Sequence, residues 1–242
     1  MATGLARGWG EPVLVSDSLP ERAQALASEV GGEAVGSNAE LAERANLVVL
    51  CHKPPQLTEV AEQVGGNARA IASILAGTRV AEIEAAYPDT PVYRFVPNIP
   101  AEVRCGVLCY SPGTRAAEGP EAEILELFGR LGMVIPLDEP LMDPALALMS
   151  SGPAFMALVA ESFVEAGVHH GLERGDAARM TVETMAGTAA YLSAHGFDAA
   201  ALETRVATPG GVTERGLKAL EQNHLPEAID EAVAVVVEAM RR

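Results

Sequence analysis

The 242-residue chain predicts an α/β fold: a doubly wound parallel sheet in residues 1–138, followed by an all-helical domain in residues 139–242. Three observations predict it. Short apolar, β-rich runs alternate with helical stretches as far as Leu137. No good strand pattern occurs from Pro140 onward. The segments 152–171 and 175–194 are long, Ala-rich and apolar at helical spacing.

The elements follow in order. The chain opens on a helical stretch, Met1 to Trp9, with no strand before it. Residues 12–16 read as a strand and Pro20 to Val30 as a helix. Leu47-Val48-Val49-Leu50-Cys51 is a continuous apolar run, the pattern of a strand buried on both faces. A helix is expected at 55–64, a further apolar run at 70–75, a short helix near 80–87 and strands at 91–96 and 106–110. Gly119-Pro120-Glu121 opens a helix with Pro in its first turn and acids near the positive end of its dipole. Met133 to Leu137 is the last strand, and residues 226–240 form a helix started by Pro226. Apolar residues cover most of the circumference of that last helix, more than one protomer buries, which points to dimerisation through the helical domain.

Composition narrows the function. Hydrophobic residues make up 49% and aromatics only 4%, so the expected core is built from Ala, Val, Leu and Met. The net charge is −16, spread over both halves, which opposes binding to nucleic acid or to anionic membranes. No uninterrupted apolar stretch approaches the ~20 residues of a membrane span, and Met1 starts no signal-like segment, so a cytoplasmic protein is expected. Cys51, Cys105 and Cys109 lack metal or redox spacing and read as buried free thiols. The histidines have no zinc spacing, so no metal is expected.

Five segments carry chemistry. Thr208-Pro209-Gly210-Gly211-Val212-Thr213 combines two glycines, two hydroxyls and the start of a helix, a cradle for a carboxylate. On residue types alone an ordinary Pro-Gly turn with a Thr cap is the favoured reading. Ser151-Gly152-Pro153 reads as a helix cap. Cys51-His52-Lys53-Pro54, Leu75-Ala76-Gly77 and Pro97-Asn98-Ile99-Pro100 follow three strands at one sheet edge, where ligands sit in such folds. Asp17, after the first strand, suits either ribose hydroxyls or a turn.

Taken in this order, the segments resemble the pyrroline-5-carboxylate reductase family over nearly the whole chain. Lys53-Pro54, Ala76-Gly77, Pro97-Asn98-Ile99-Pro100-Ala101, Ser151-Gly152-Pro153-Ala154-Phe155 and above all Val206 to Glu221 carry the resemblance. It implies a Rossmann-like domain, a helical dimerisation domain, and reduction of the cyclic imine 1-pyrroline-5-carboxylate to L-proline by NADPH or NADH. It implies that Ser16, Asn38, His52, Lys53, Pro54, Ala76, Gly77, Pro97 and Asn98 line the dinucleotide, with the last two beside the nicotinamide. Thr208, Gly211, Val212 and Thr213 would hold the substrate carboxylate, with the Thr213 hydroxyl assisting the proton on nitrogen.

The family's first strand and Gly-rich loop are not in this sequence. The expectation is that about ten to fifteen further residues precede Met1, since a sheet without that strand exposes backbone polar groups, and that the 242 residues alone turn over weakly. Ile99, Met149-Ser150, Arg205 and Glu214 depart from the family pattern. They leave two alternatives: a non-catalytic dimeric scaffold, or a reductase of another cyclic imine.

Overall fold

The computed structural model describes residues 1–240 and divides into two compact units, Met1–Ser150 and Ser151–Ala239. The first unit runs α1 (Ala2–Trp9), β1 (Leu14–Val15), α2 (Pro20–Val30), β2 (Glu33–Ala34), α3 (Asn38–Arg44), β3 (Val48–Leu50), α4 (Leu57–Val64), β4 (Ile71–Ser73), α5 (Val80–Ala86), β5 (Val92–Pro97), β6 (Gly106–Pro112), α6 (Glu121–Gly129), β7 (Gly132–Pro136) and α7 (Met142–Met149). Strands β1 and β2 form a separate parallel pair, and the main sheet has the order β3-β4-β5-β6-β7.

The main sheet corrects one expectation: β6 runs antiparallel to β5, while the other pairs are parallel. A parallel return needs a crossover of about a dozen residues or more. Only residues 98–105 join β5 to β6, as a short 3-10 turn (Ile99–Val103) ended by Arg104 in the left-handed region at φ 60°. The strand expected at 12–16 shortens to Leu14–Val15, while β2 and α3 were not foreseen. Pro120 sits at the N-cap of α6 rather than in its first turn.

The core also differs from expectation. Its centre is aromatic despite the low aromatic content. Phe95 stacks on Phe128 with centroids 3.8 Å apart, Tyr110 stacks on Phe95, and Trp9 meets Phe128 edge-on. Such rings bury large areas at fixed geometry, so a few suffice. A second cluster joins Val48, Leu50, Ile71 and Val92 to Val64 on α4 and Ile83 on α5. Helix α1 is tied into the first cluster by Leu5 and Trp9. Its last carbonyls do not go unpaired: Arg104 donates to Gly8 and Trp9, and Arg130 also donates to Trp9. Cys109 is buried and Cys105 is exposed, against the expectation of a buried thiol; Cys51 is exposed as a residue, but its thiol lies inward, where burial pushes its pKa up to about 12.

The second unit holds α8 (Gly152–His169), α9 (Arg174–Ala194), α10 (Ala199–Val206), α11 (Val212–Gln222) and α12 (Leu225–Met240). Helices α8 and α9 pack as a hairpin, turned at Gly171 with φ 91°. Gly167 permits the close approach, since a Cβ there would lie 3.1 Å from that of Ala177. Arg174 pairs with Glu161 and Glu165 across the hairpin. Ser151 stands at the N-cap of α8 but makes no side-chain cap bond, correcting that reading. The largely helical stretch Glu139–His169 is long and apolar enough to cross a membrane by length and composition alone.

Candidate functional site

Strands β3, β4 and β5 are parallel, so their carboxyl ends share one edge of the sheet, and three loops leave it there. After β3, Pro54 and Pro55 hold Lys53 extended (φ −82°, ψ 145°) and then start a 3-10 turn. Gln56 accepts the Lys53 N–H at 3.2 Å. The Lys53 side chain is exposed and has no ion-pair partner among the described residues. His52 Nδ1 lies 3.0 Å from the Lys53 carbonyl. A carbonyl only accepts, so this contact selects the Nδ1–H tautomer and leaves Nε2 as an acceptor. That Nε2 is buried without a partner.

After β4, Ala76 and Gly77 are exposed. Gly77 has φ 72°, and a Cβ there would meet nothing within 4 Å, so it is needed for its backbone conformation and the space above it is open. Pro97, the last residue of β5, and Asn98 just after it are buried. Asn98 Oδ1 accepts the Val107 N–H at 2.9 Å, and Nδ2 donates to the Met149 carbonyl at 3.0 Å. Its polar atoms therefore brace β5 against β6 and α7 instead of facing the edge. Beside it Ile99 is 69% exposed.

The structure does not gather every expected residue onto this edge. Ser16 follows β1 and Asn38 opens α3, beside the separate two-stranded sheet. Asn38 donates to Gln63 at 2.6 Å. Asp17 accepts the Leu19 N–H at 2.9 Å, which is the turn-forming role. Burial pushes up the Cys51 thiol just after β3, and the charge of the Met1 amino group opposes the shift. Helix α1 has no side-chain cap, and the N–H groups of its first turn have no acceptor within the helix.

Sequence reasoning missed one part of this region. Arg94, in the middle of β5 and almost fully buried, pairs with Glu139 at 2.5 Å. Glu139 also accepts the Val80 N–H at 3.0 Å, tying the first turn of α5 to β5. The available signal was a lone arginine inside an otherwise apolar strand.

In the second unit, Thr208 to Gly211 form a turn closed by a 2.9 Å bond from the Gly211 N–H to the Thr208 carbonyl. Pro209 in the second position and Gly210 at φ 75° in the third are the type II signature. Gly211 must lack a side chain, because a Cβ would lie 2.6 Å from Thr208 Oγ1. Helix α11 then begins at Val212, with Gly211 as its N-cap and no side-chain cap bond. The first-turn N–H groups of Val212 and Thr213 therefore have no intrahelical acceptor. Thr213 is half-buried, and Thr208 and Val212 are exposed. Glu214 accepts the Gly210 N–H at 2.8 Å and the Lys218 ammonium at 2.9 Å. These two contacts, Lys218 first, hold its carboxyl below the usual carboxylate range.

Comparison with known proteins covers both units. Residues 139–242 match the family model described as pyrroline-5-carboxylate reductase dimerisation. Residues 1–77 match one described as NADP oxidoreductase, coenzyme F420-dependent. The chain is 32% identical to a Synechocystis pyrroline-5-carboxylate reductase over 81% of its own length and 74% of the relative's. It is 32% identical to the Mycobacterium tuberculosis pyrroline-5-carboxylate reductase, covering 91% of this chain and 84% of that one. Among solved structures, a pyrroline-5-carboxylate reductase from Coxiella burnetii superposes with a TM-score of 0.89 at 24% identity, covering 99% of this chain and 93% of that one. The Plasmodium falciparum pyrroline carboxylate reductase with NADP bound gives 0.85 at 23% identity, covering 98% and 92%.

Proposed function

The chain belongs to the pyrroline-5-carboxylate reductase family, and on that premise we propose how its residues divide the work of reducing 1-pyrroline-5-carboxylate to L-proline. The protein is an NAD(P)H-dependent oxidoreductase of proline biosynthesis and a homo-oligomer acting on a small molecule. We assign the dinucleotide to residues 1–138 and the substrate to residues 139–242.

The sheet edge fits a dinucleotide on its own chemistry. An orphaned buried acceptor at His52 Nε2 suits a sugar hydroxyl, and the unpaired Lys53 ammonium and the uncapped first turn of α1 suit phosphate. Pro54, Ala76 and Gly77 leave the backbone open to close approach. Ser16 and Asn38, by the separate two-stranded sheet, are assigned to the ribose end of the dinucleotide on the family resemblance. Pro97 and Asn98 shape the floor by the nicotinamide, Asn98 through its bracing bonds and not by direct contact.

When bound, the reduced cofactor supplies a hydride to the C=N carbon of the substrate. The rest is binding and orientation. The N–H groups of Val212 and Thr213 and the hydroxyls of Thr208 and Thr213 grip the substrate carboxylate at the N-terminus of α11, with Gly211 allowing the close approach. The imine nitrogen takes its proton from solvent, and the Thr213 hydroxyl, donating to the carboxylate, accepts the iminium N–H and so helps hold that proton on nitrogen. An imine is reactive once protonated, so this chemistry needs no strong general base.

The exposed apolar faces of the second unit supply the dimer contact, Leu158 at 70% and Val235 at 60% exposure being the largest on their helices. We place the enzyme in the cytoplasm, and its charge of −16 opposes nucleic acid and anionic membranes as partners.

The observation that carries this reading is the type II turn presenting the free amides of α11 beside two threonine hydroxyls. Steady-state oxidation of NADPH and NADH with 1-pyrroline-5-carboxylate tests it. Thr213→Val should lower kcat/KM at least about tenfold, the order expected when a charge-assisted hydrogen bond is lost. Turnover unaffected by Thr213→Val would remove Thr213 from the site.

A further inference from the structure

The amide of Gly210 points to a role for Glu214 that neither the fold nor the turn motif requires. A type II turn uses the N–H of its fourth residue, here Gly211, and leaves that of its third residue free. In this chain the Gly210 N–H is not free. It donates to Glu214 Oε2, and Glu214 Oε1 is held by Lys218 one turn further along α11. One carboxylate of the chain thus already sits on the turn that we assign to the substrate's carboxylate.

Two consequences of this placement oppose each other. The Glu214 charge repels an incoming anion. The same bond fixes the Gly210 peptide, and with it the direction of the Val212 and Thr213 amides. Lys218 and the Gly210 amide offset the charge locally, and a side chain one-third exposed is screened by solvent. The bond to Gly210 is short, and it links the turn to the helix whose amides do the gripping. Positioning therefore outweighs repulsion.

We infer that Glu214 is the positioning residue of the carboxylate cradle: by taking the Gly210 amide, it locks the Thr208–Gly211 turn so that the Val212 and Thr213 amides stay aimed at the substrate. This rests on the reductase reading above. Lys218 has a supporting part, holding the Glu214 carboxylate in the rotamer that reaches back to Gly210.

Glu214→Ala and Glu214→Gln on the full chain test the inference. The Ala variant should raise KM for 1-pyrroline-5-carboxylate about tenfold with kcat within about twofold, the pattern of lost ground-state positioning. Gln keeps an acceptor for Gly210, so it should return KM to within about threefold of the parent. A KM unchanged or lowered in Glu214→Ala would overturn the inference, as would a Gln variant no better than Ala.

Hydrogen exchange at the Gly210 amide supplies a readout independent of turnover. Protection in the parent that is lost in Glu214→Ala and kept in Glu214→Gln supports the lock, and equal exchange in all three refutes it. If the parent fails to reduce 1-pyrroline-5-carboxylate while that exchange pattern holds, the reductase reading fails and the lock stands as a property of the turn. Should Glu214→Ala fail to fold, Lys218→Met probes the same lock from the other side, with an intermediate rise in KM expected and an unchanged KM counting against it.

Discussion

The two units reach stability in opposite ways. The first closes its core within one chain: Phe95, Phe128, Tyr93 and Leu131 are completely buried, with Phe95 on β5 stacked against Phe128 on α6 and Tyr110 on β6. The second has long helices, yet only Val164 and Ala177 among its described residues are fully buried in the single chain. Its apolar side chains stand exposed instead, Leu158, Phe163, Val212 and Val235 among them. A sheet with helices on both faces satisfies itself. A helix apolar around most of its circumference needs another surface, which is why the second unit belongs to a family defined by dimerisation.

The comparison breaks most sharply at Phe128. Phe128→Ala should destabilise the protein by about 3–5 kcal/mol, because it empties the centre of a closed core. Chemical denaturation measures it, and a loss under about 1 kcal/mol would mean the aromatic cluster is not the keystone proposed. Leu158→Glu, by contrast, should leave the first unit's unfolding unchanged and shift the oligomer toward smaller species in sedimentation experiments. If Leu158→Glu left the assembly intact, α8 would not be the joining surface.

A smaller effect is expected at Glu139. Its removal strands the Arg94 guanidinium in the sheet and frees the first amide of α5, so Glu139→Ala should cost about 2–3 kcal/mol. Glu139→Gln keeps the hydrogen bonds without the charge and should cost less. Equal losses for both variants would assign the effect to the charge and not to the hydrogen bonds.

Acid supplies the mildest test. Glu11, Glu29 and Glu33 are held below their ordinary value of 4.5 by hydrogen bonds from Arg130, Arg7 and Arg44 respectively. A depressed folded-state value means that the stabilisation is complete above the unfolded value and fades as pH falls through the folded one. Melting temperature should therefore be flat from neutrality to about pH 5 and decline below it, modestly, since all three pairs are exposed to solvent. A decline that sets in near pH 6 would point to a histidine instead.

Much of this division was legible in the sequence. Continuous apolar runs placed β3, β4 and β5, and the loss of strand pattern after Pro140 placed the helical region. The antiparallel β6 was not legible, because it follows from the short Ile99–Arg104 turn and not from any hydrophobic period. Nor was the aromatic centre, since Trp9, Phe95, Tyr110 and Phe128 are far apart in sequence and only the sheet brings them together. At the candidate site the Thr-Pro-Gly-Gly turn could be read directly from residue types. The direction of Asn98 could not, because strand register decides which way a residue at the end of β5 faces. Glu214 was noticed only as an unusual charge. Its reach back to Gly210 follows from helix spacing once α11 is known to start at Val212.

The Asn98 brace carries one more consequence. Its amide is spent on two main-chain partners, one acidic in character and one basic, so it reads orientation as well as size. Aspartate has the same outline but would set a negative oxygen against the Met149 carbonyl. Spontaneous hydrolysis of this one amide, a common form of ageing in stored proteins, would thus damage the floor of the sheet edge without altering its shape. The wall at Lys53–Pro54 is held differently, by the Gln56 and His52 side chains on the Lys53 main chain, and neither of those bonds depends on Asn98.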